Sequence, residues 1–372
     1  MKIVITGANG FLGWHLRCRL SALHDHEVVS IGRENFSQLS VKLAGADAVV
    51  HIAGVNLGPD DEVVNGNIDL ATTVADAIRA AQSKPRIVFA NSIQAGNKSP
   101  YGDGKAGASE VLGGVAQELG LDYVDVLLPN LFGEHGRPGY NSFVATFCRE
   151  VSAGHEPQAN DNQVELLHVQ DAAQALVDAL AGSTRVNRPE GETHGVIEVL
   201  DLLKSFEATY RTGDIPPLDT DFKLNLFNTY RAATFLTQAP IPFTKHSDAR
   251  GSFVEAVRIH GGGGQTSFST TVPGVTRGEH FHLKKIERFV VIGGQARISL
   301  RKLFTNDVVS FDVTGEAPVA IDMPTMWAHN ITNTGDDELF TLFWSDTIFD
   351  PANTDTYPEP VGLPGIDHEV GA

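Results

Sequence analysis

The feature that most constrains the fold is a glycine-rich loop directly after the first apolar run. Residues 2–6, KIVIT, are typical of a buried strand, and the next residues, GANGFLG, place three glycines at intervals of three ahead of a helical pattern over 11–23. Such glycines let the backbone turn sharply and approach a pyrophosphate, and the helix N-terminus offers free N–H groups to it. The sequence therefore predicts a dinucleotide-binding loop. Its predicted cofactor contacts are Gly7, Asn9, Gly10, Phe11, Leu12 and Gly13.

The first 180 residues alternate between short apolar runs and longer amphipathic stretches. Strands are predicted at 2–6, 27–31, 48–52, 86–91 and 122–128, and helices at 11–23, 69–82 and 101–119. Short apolar strands separated by helices are typical of a parallel sheet that is covered on both faces. We therefore predict an N-terminal α/β domain with a doubly wound parallel sheet.

The pattern changes after about residue 240, where helical periodicity disappears. Short β-rich runs follow at 252–259, 266–272, 288–292, 296–301, 308–313, 317–321 and 339–344. Closely spaced strands with glycine-rich turns predict an all-β sandwich or barrel. Two prolines in QAPIPF, residues 238–243, suggest a linker. We expect domains at 1–242 and 243–372, with residues 184–240 forming a small helical lobe that closes the first.

Composition excludes several classes of partner. Acidic residues outnumber basic residues by 46 to 28, a formal net charge of −18, which argues against nucleic acid or an anionic membrane as a partner. The two cysteines, Cys18 and Cys148, cannot form a disulfide framework and suggest reduced thiols. We expect no signal peptide, no apolar run of the roughly 20 residues needed to cross a bilayer, and a cytoplasmic location.

The residues after the second predicted strand bear on cofactor preference. About 20 residues beyond Gly13, an enzyme that prefers NAD usually carries an acid for the ribose 2′-OH, whereas this sequence has Arg33, followed by Glu34. An arginine at this place can pair with the 2′-phosphate of NADP. We therefore predict NADPH as cofactor; the alternative is a solvated surface arginine.

A tyrosine and a lysine form Y-x-x-x-K at the start of a predicted helix. Tyr101 and Lys105 would lie on one helix face, and a nearby ammonium is expected to lower the phenol pKa. Ser92 ends the preceding strand, where a hydroxyl can orient a reacting carbonyl. We predict a hydride-transfer triad in which Ser92 orients the oxygen, Tyr101 moves the proton, and Lys105 tunes the tyrosine and holds the nicotinamide ribose.

Residues 1 to about 240 resemble the extended short-chain dehydrogenases/reductases, whose fold is Rossmann-like. The resemblance rests on TGANGFLG, on HIAG at 51–54, on Ser92 with the Tyr–Lys pair, and on PNLFG at 129–133. It implies cofactor contacts at Ala53 and Gly54 and a substrate contact at Asn130. In one departure from the family, Tyr101 follows Ser92 by nine residues, which is shorter than usual.

The C-terminal half contains histidines at metal-ligand spacing. His280 and His282 alternate on a predicted strand, so both imidazoles face one side. Glu287 follows, and His329 lies further on. Three imidazoles and a carboxylate suit Zn²⁺, Fe²⁺, Mn²⁺ or Ni²⁺; because no redox step is required, we predict Zn²⁺. A barrel without a metal is the alternative.

The spacing of these residues resembles the cupins. The pattern G-x5-H-x-H-x4-E-x6-G runs from Gly274 to Gly294 and is similar to the first cupin motif, and residues 324–333 resemble the second, with Met326 where glycine is usual. DARGSFVE, residues 248–255, resembles the opening strand of cupins that epimerise 4-keto nucleotide sugars. That resemblance implies that Arg250 lies near the nucleotide phosphates; a salt bridge to a neighbouring acid is the alternative.

A reductase followed by a cupin resembles a family of bifunctional capsular-polysaccharide enzymes. The resemblance implies that the cupin epimerises carbon 3 of a UDP-2-acetamido-2,6-dideoxy-4-hexulose. The reductase then reduces the 4-ketone with NADPH to a UDP-6-deoxy-L-talosamine derivative, on the route to UDP-N-acetyl-L-fucosamine. The substrate class is thus a UDP-4-keto-6-deoxy-HexNAc.

Two other interpretations remain open from the sequence. In the first, a nucleotide-sugar 4-reductase carries a non-catalytic cupin that binds or dimerises; in the second, the chain is a scaffold without chemistry, against which the retained Tyr–Lys pair argues. The general base of the epimerisation is open among His260, Lys302 and His329. We expect a homodimer, because the edge strands of a β domain need cover.

Overall fold

The protein consists of two compact units in a computed structural model that describes residues 1–182 and 185–362. The first unit comprises 1–147 and 158–199, and the second comprises 148–157 and the chain from 200 onward. The domains expected at 1–242 and 243–372 stay a prediction. Residue 184 and residues 363–372, which fall within predicted segments, lie outside the described residues.

The first unit is built from strands that alternate with helices. Its strands are β1 (Lys2–Thr6), β2 (Glu27–Ile31), β3 (Ala48–His51), β4 (Arg86–Ser92), β5 (Tyr123–Leu128), β6 (Asn130–Phe132), β7 (Gln163–His168), β8 (Val186–Asn187) and β9 (Glu192–Gly195). Its helices are α1 (Phe11–Leu23), α2 (Leu39–Leu43), α3 (Asp60–Ala81), α4 (Pro100–Leu119) and α6 (Val169–Asp178), and α5 (Phe143–Ser152) and α7 (Val196–Tyr210) run on into the second unit.

The main sheet of this unit is parallel throughout, in the order β2-β1-β3-β4-β5-β8. One apolar cluster packs α1 and α6 against one face, and another packs α2, α3 and α4 against the other. The predicted doubly wound sheet is confirmed. Because β2 and β3 lie on opposite sides of β1, the chain changes direction between β1 and β3, which is where open α/β sheets bind ligands. Strands β6, β7 and β9 form a second, smaller sheet of the same unit, in the order β6-β7-β9.

The second unit is antiparallel. Its elements are α8 (Asp221–Gln238), β10 (Ile241–Pro242), β11 (His246–Asp248), β12 (Gly251–Phe253), β13 (Gln265–Thr271), β14 (Thr276–Phe281), β15 (Glu287–Gly293), β16 (Gln295–Lys302), β17 (Val308–Thr314), β18 (Val319–Met323), β19 (Trp327–Asn333), β20 (Leu339–Ser345) and β21 (Tyr357–Pro358). They form two sheets, β10-β18-β15-β20-β13 and β17-β16-β19-β14-β21, and a β11–β12 hairpin. The apolar core joins both sheets, so the predicted C-terminal β domain is confirmed.

Helix α8 packs on the strands of the second unit, which we call the β unit. This differs from the sequence prediction, in which residues 184–240 form a lobe that closes the first domain. Arg231 donates to the carbonyl of Met323 at 2.9 Å, and the Phe235 ring meets Trp327 edge-on at 5.6 Å. Phe235 thereby belongs to the apolar core that both sheets share. The predicted linker likewise contributes β10 to a sheet, and the predicted strand at 252–259 is reduced to β12.

Across the described residues, no helix combines the length and the apolar character that a bilayer span requires.

Candidate functional site

The glycine loop after β1 is packed backbone against backbone. Gly7 has φ +69°, and a Cβ on it would lie 2.7 Å from the amide nitrogen of Ala53. A Cβ on Gly13 would lie 2.2 Å from the carbonyl oxygen of Gly7. Side chains are therefore excluded at both positions, and the loops after β1 and β3 lie side by side. Gly10 caps α1, and Phe11 and Leu12 begin the helix, so its N-terminal amides can receive a phosphate.

The predicted cofactor residues Asn9 and Arg33 lie beside an acid. Asn9 accepts from Arg17 at 3.0 Å and donates to the carboxylate of Glu34 at 3.3 Å. Glu34 also folds over Gly32, where a Cβ would meet its carboxylate oxygen at 2.3 Å. Arg33 is exposed. Glu34 therefore lies against the glycine loop, and Arg33 precedes it in the chain.

The structure brings the predicted triad together. Ser99 caps α4 by accepting from Gly102 at 3.0 Å, which puts Tyr101 in the first helical turn and Lys105 one turn later. The Tyr101 phenol lies near enough to Ser92 for that side chain to act on the phenol pKa. The Lys105 ammonium lies 5.9 Å from the centroid of the Tyr101 ring.

A tight turn explains why the short spacing between Ser92 and Tyr101 still works. The amide of Ala95 donates to the carbonyl of Ser92 at 3.0 Å, and Gly96, at φ +76°, donates to Gly102 at 3.0 Å. The chain therefore doubles back directly after β4. Gly102 lies so close to Gln94 that a Cβ would come within 2.3 Å of its carbonyl oxygen, which holds the start of α4 against the turn.

The titration of the pair differs from the expectation. Burial raises the pKa of Tyr101, and the hydrogen bond with Ser92 opposes this only in part. The prediction that Lys105 lowers the phenol pKa was wrong, because burial outweighs the favourable contacts. Burial lowers the pKa of Lys105 to about 8, against the opposing charge of Asp125. At pH 7 the phenol is neutral and the lysine is charged, which suits a tyrosine that donates a proton.

Lys105 is also close to the predicted cofactor residue Gly54. Its Nζ donates to the carbonyl of Ala90 at 2.8 Å, and a Cβ on Gly54 would lie 3.8 Å from Nζ. Asn67 holds this loop, since its side chain donates to the Val55 carbonyl at 2.8 Å and accepts from the Val55 amide at 3.2 Å. Ala53, Gly54 and Lys105 therefore meet beside the glycine loop.

Asn130, the predicted substrate contact, is exposed on β6 and donates to the carbonyl of Glu165 at 3.3 Å. The loop that follows it is fixed by a buried hydrogen bond, in which Nε2 of His168 lies 3.0 Å from the Glu134 carboxylate. His15 on α1 donates to the carbonyl of Glu134 at 2.8 Å. Burial raises the pKa of Glu134, but His168 outweighs it and brings the pKa to about 2. This rigid loop sets the position of β6.

The four predicted metal ligands converge in the β unit, and we call them the His–Glu cluster. The ligand atoms of His280, His282, Glu287 and His329 all lie within 4.8 Å of one another. From one carboxylate oxygen of Glu287, the distances to the Nε2 atoms of His282, His329 and His280 are 3.1, 3.3 and 3.9 Å. His280 and His329 face each other on β14 and β19, and Glu287 begins β15 in the other sheet.

The chemistry of the cluster fits a divalent ion. His282 and His329 are 2% and 0% exposed, and burial lowers the pKa of His329 to about 4. Burial would raise the pKa of Glu287, but hydrogen bonds from the three histidines outweigh it and hold that pKa well below its usual value. A neutral imidazole and a carboxylate are the forms that bind a metal.

The tautomers also fit. The Nδ1 atoms of His282 and His329 lie 2.6 Å and 3.1 Å from the main-chain oxygens of Asp355 and Trp327. Because a carbonyl oxygen only accepts, both Nδ1 atoms carry a proton, and both Nε2 atoms face the centre of the cluster, where a metal would bind them in place of their hydrogen bonds to Glu287.

Arg250 lies apart in the exposed β11–β12 turn. Its side chain is 90% exposed and pairs with Asp248 at 2.6 Å. The salt bridge considered from the sequence is therefore formed, and a role at nucleotide phosphates stays a prediction.

Sequence reasoning missed two residues that touch the cluster. Lys285 lies 3.8 Å from the second carboxylate oxygen of Glu287, and Asp355 contacts His282 from the C-terminal segment. The pair of adjacent lysines was a visible signal for the first. No local pattern could have signalled Asp355, because it lies 73 residues from His282.

Comparison with known proteins assigns the first unit. The model of the NAD dependent epimerase/dehydratase family matches residues 3–191. The chain belongs to this family. A second model, the polysaccharide biosynthesis C-terminal domain, matches residues 246–357, so this family member carries a C-terminal part of a different kind.

Full-length relatives share both parts. A UDP-2-acetamido-2,6-beta-L-arabino-hexul-4-ose reductase of Pseudomonas aeruginosa is 33% identical over 97% of this chain and 99% of its own. The crystal structure of the capsular polysaccharide assembling protein CapF from Staphylococcus aureus is 32% identical, with a TM-score of 0.61 over 97% of this chain and all of that chain. The predicted resemblance to bifunctional capsular-polysaccharide enzymes is confirmed.

A more distant structure shares the fold of the N-terminal part of this chain. The UDP-N-acetylglucosamine 4-epimerase of Methanobrevibacter ruminantium is 19% identical, with a TM-score of 0.54 over 62% of this chain and 97% of its own.

Proposed function

We propose that this chain is a bifunctional nucleotide-sugar enzyme. The β unit epimerises carbon 3 of a UDP-2-acetamido-2,6-dideoxy-4-hexulose, and the N-terminal unit reduces the 4-ketone with NADPH to a UDP-6-deoxy-L-talosamine derivative, a precursor step toward UDP-N-acetyl-L-fucosamine. The observation that carries the proposal is the presence of two separate constellations on one chain: Ser92, Tyr101 and Lys105 in one unit and the His–Glu cluster in the other. The Pseudomonas relative, a UDP-2-acetamido-2,6-beta-L-arabino-hexul-4-ose reductase, supports the substrate class.

The N-terminal residues suit ketone reduction. The neutral Tyr101 phenol donates its proton to the ketone oxygen, and Ser92, which lies near the phenol, holds that oxygen in place. The charged Lys105, anchored on the Ala90 carbonyl, binds the nicotinamide ribose beside Gly54. The reduced nicotinamide supplies the hydride, so one hydride and one proton convert the ketone to an alcohol.

The β-unit residues suit enolisation. His280, His282, Glu287 and His329 would hold a divalent metal, which when bound polarises the 4-keto oxygen and stabilises the enolate formed on loss of the carbon-3 hydrogen. As a ligand, His329 is not available as the base. Two candidates for the base remain: His260, whose Nε2 lies 2.7 Å from a carboxylate oxygen of Asp214, and Lys302. Reduction removes the ketone that makes carbon 3 acidic, so it prevents reversal. A homodimer and a cytoplasmic location stay predictions.

One experiment separates the proposal from its alternatives. The protein is incubated with a UDP-4-keto-6-deoxy-HexNAc in deuterated water, with and without NADPH, and deuterium is located in the sugar. We expect deuterium at carbon 3 without NADPH, and a 4-hydroxyl product that carries it when NADPH is added. NADPH oxidation without deuterium at carbon 3 would favour a reductase with a non-catalytic β unit, and neither reaction would favour a scaffold.

Arg33→Ala is expected to raise the KM for NADPH about tenfold and to leave the KM for NADH nearly unchanged, because a guanidinium can bind the 2′-phosphate with charge-assisted hydrogen bonds. Initial rates with both cofactors measure this. Glu34→Gln is the matched control: it removes the negative charge beside Asn9 and should lower the KM for NADPH. Equal losses with both cofactors in Arg33→Ala would mean that Arg33 reads no phosphate, and Lys42 would be tested next.

A further inference from the structure

The last residues that the structure describes fold back onto the His–Glu cluster. We name residues 350–362 the C-terminal strap. Within it, β21 pairs with β14, so that Pro358 faces His280 and Tyr357 faces Phe281. The rings of Phe281 and Tyr357 lie 5.4 Å apart. The strap therefore runs along the strand that carries the first metal ligand.

Asp355 fastens the strap to the connection between β14 and β15. Its carboxylate accepts hydrogen bonds from the amides of Leu283, Lys284 and Lys285 at 3.0, 2.9 and 2.7 Å. Its backbone has φ +43°, a left-handed conformation that aspartate and asparagine tolerate better than most residues. Three amide donors to one carboxylate form a strong, directional anchor.

The same residue fixes a metal ligand. The main-chain oxygen of Asp355 accepts from Nδ1 of His282 at 2.6 Å, and His282 is 2% exposed. This hydrogen bond places a proton on Nδ1 and fixes the plane of the imidazole ring. In that orientation Nε2 faces Glu287, whose carboxylate oxygen lies 3.1 Å away. The side chain of Asp355 holds its own carbonyl in place, so the carboxylate acts on His282 through the backbone.

A second anchor holds the strap independently of Asp355. The main-chain oxygen of Glu279 accepts from the amide of Glu359 at 2.8 Å, and its carboxylate accepts from the amide of Val361 at 2.6 Å. Buried Arg301 donates to the Glu359 carboxylate at 2.6 Å and to the Val361 carbonyl at 2.9 Å. Loss of the Asp355 carboxylate should therefore loosen the His282 contact without releasing the whole strap.

We propose that Asp355 is a positioning residue for the metal centre: its carboxylate, bound to three amides of the β14–β15 connection, holds the carbonyl that orients His282 for metal binding. This inference deepens the proposed function and rests on the proposed metal site. Groups that orient a ligating histidine from outside the metal's own ligand set typically change metal affinity by about 10- to 100-fold.

The test measures Zn²⁺ affinity by competition with a chromophoric chelator, using the full chain. Asp355→Gly removes the carboxylate while allowing the positive φ, and should raise the Zn²⁺ dissociation constant by about 10- to 100-fold. Asp355→Asn keeps an acceptor oxygen and should fall between that variant and the unmodified protein. Asp350→Ala is the matched control on the strap, since its carboxylate bonds only the nearby amide of Ala352 among its described contacts; its dissociation constant should be unchanged.

Thermal unfolding of the metal-free proteins and NADPH binding show whether each variant folds. If metal-free Asp355→Gly unfolds at a lower temperature but binds Zn²⁺ within threefold of the unmodified protein, Asp355 is merely structural and the inference is wrong. If the unmodified protein itself binds no Zn²⁺ or other divalent ion, the proposed metal site and this inference fail together.

Discussion

Replacing Tyr101 by Phe is expected to lower the rate of ketone reduction by at least about 100-fold, the usual cost of losing a general acid. The substitution keeps the half-buried ring at the start of α4 and removes only the hydroxyl, which lies near Ser92. Hydrogen exchange at carbon 3 should continue, because the proposal assigns it to the His–Glu cluster. Deuterium incorporation and NADPH oxidation, followed in the same samples, measure the two steps separately.

Tyr123→Phe is the matched control for this prediction. Tyr123 lies on β5 and its hydroxyl bonds Ser109 at 2.9 Å, so the variant loses a phenol of the same unit that has no proposed chemical role and should reduce the ketone at the normal rate. The unmodified enzyme should lose reductase activity above about pH 8, where Lys105 loses its charge. If exchange at carbon 3 disappears together with reduction in Tyr101→Phe, the assignment of two steps to two units is wrong.

The sequence predicted the first unit well, because local signals and tertiary packing agree there. The predicted bounds of β1, β2 and α1 are those of the structure. Helix α3 begins nine residues before its predicted start at residue 69, because Gly66 and its neighbours resemble a turn. Gly66 is instead needed for contact, since a Cβ there would meet Val55 at 2.8 Å.

The sites show where sequence reasoning stops. The twofold period of a strand was enough to predict His280 and His282 on one side, whereas Glu287 and His329 rested on their residue types and on the resemblance to the cupin motifs. The pairing of β14 with β19 is what brings His280 and His329 together. The pKa of Tyr101 could not be predicted, because its direction depends on how deeply α4 is buried. The place of Glu34 against Asn9 and that of Asp355 against His282 depend on loop paths that no residue pattern encodes.

The second large effect concerns the metal. Chelation, or His282→Ala, is expected to abolish exchange at carbon 3, while NADPH oxidation on a non-epimerised ketone survives. Four polar side chains converge between two sheets, with His329 fully buried, and burying such polarity is costly without a cation. We expect one divalent ion per chain, Zn²⁺ in first place because three imidazoles and a carboxylate suit it. Elemental analysis beside the exchange assay measures both quantities.

His155→Ala is the matched control for the metal prediction. His155 lies in the same unit but pairs with Glu150 at 2.9 Å on the surface, so the variant should keep its metal and its exchange activity. Re-addition of Zn²⁺ should restore exchange to the chelated protein and leave His282→Ala inactive, because the variant lacks a ligand that the other three cannot replace. A purified protein with less than about a tenth of an equivalent of any divalent metal, yet full exchange, would contradict the proposed metal site, since carbon-3 exchange would then proceed without the ion.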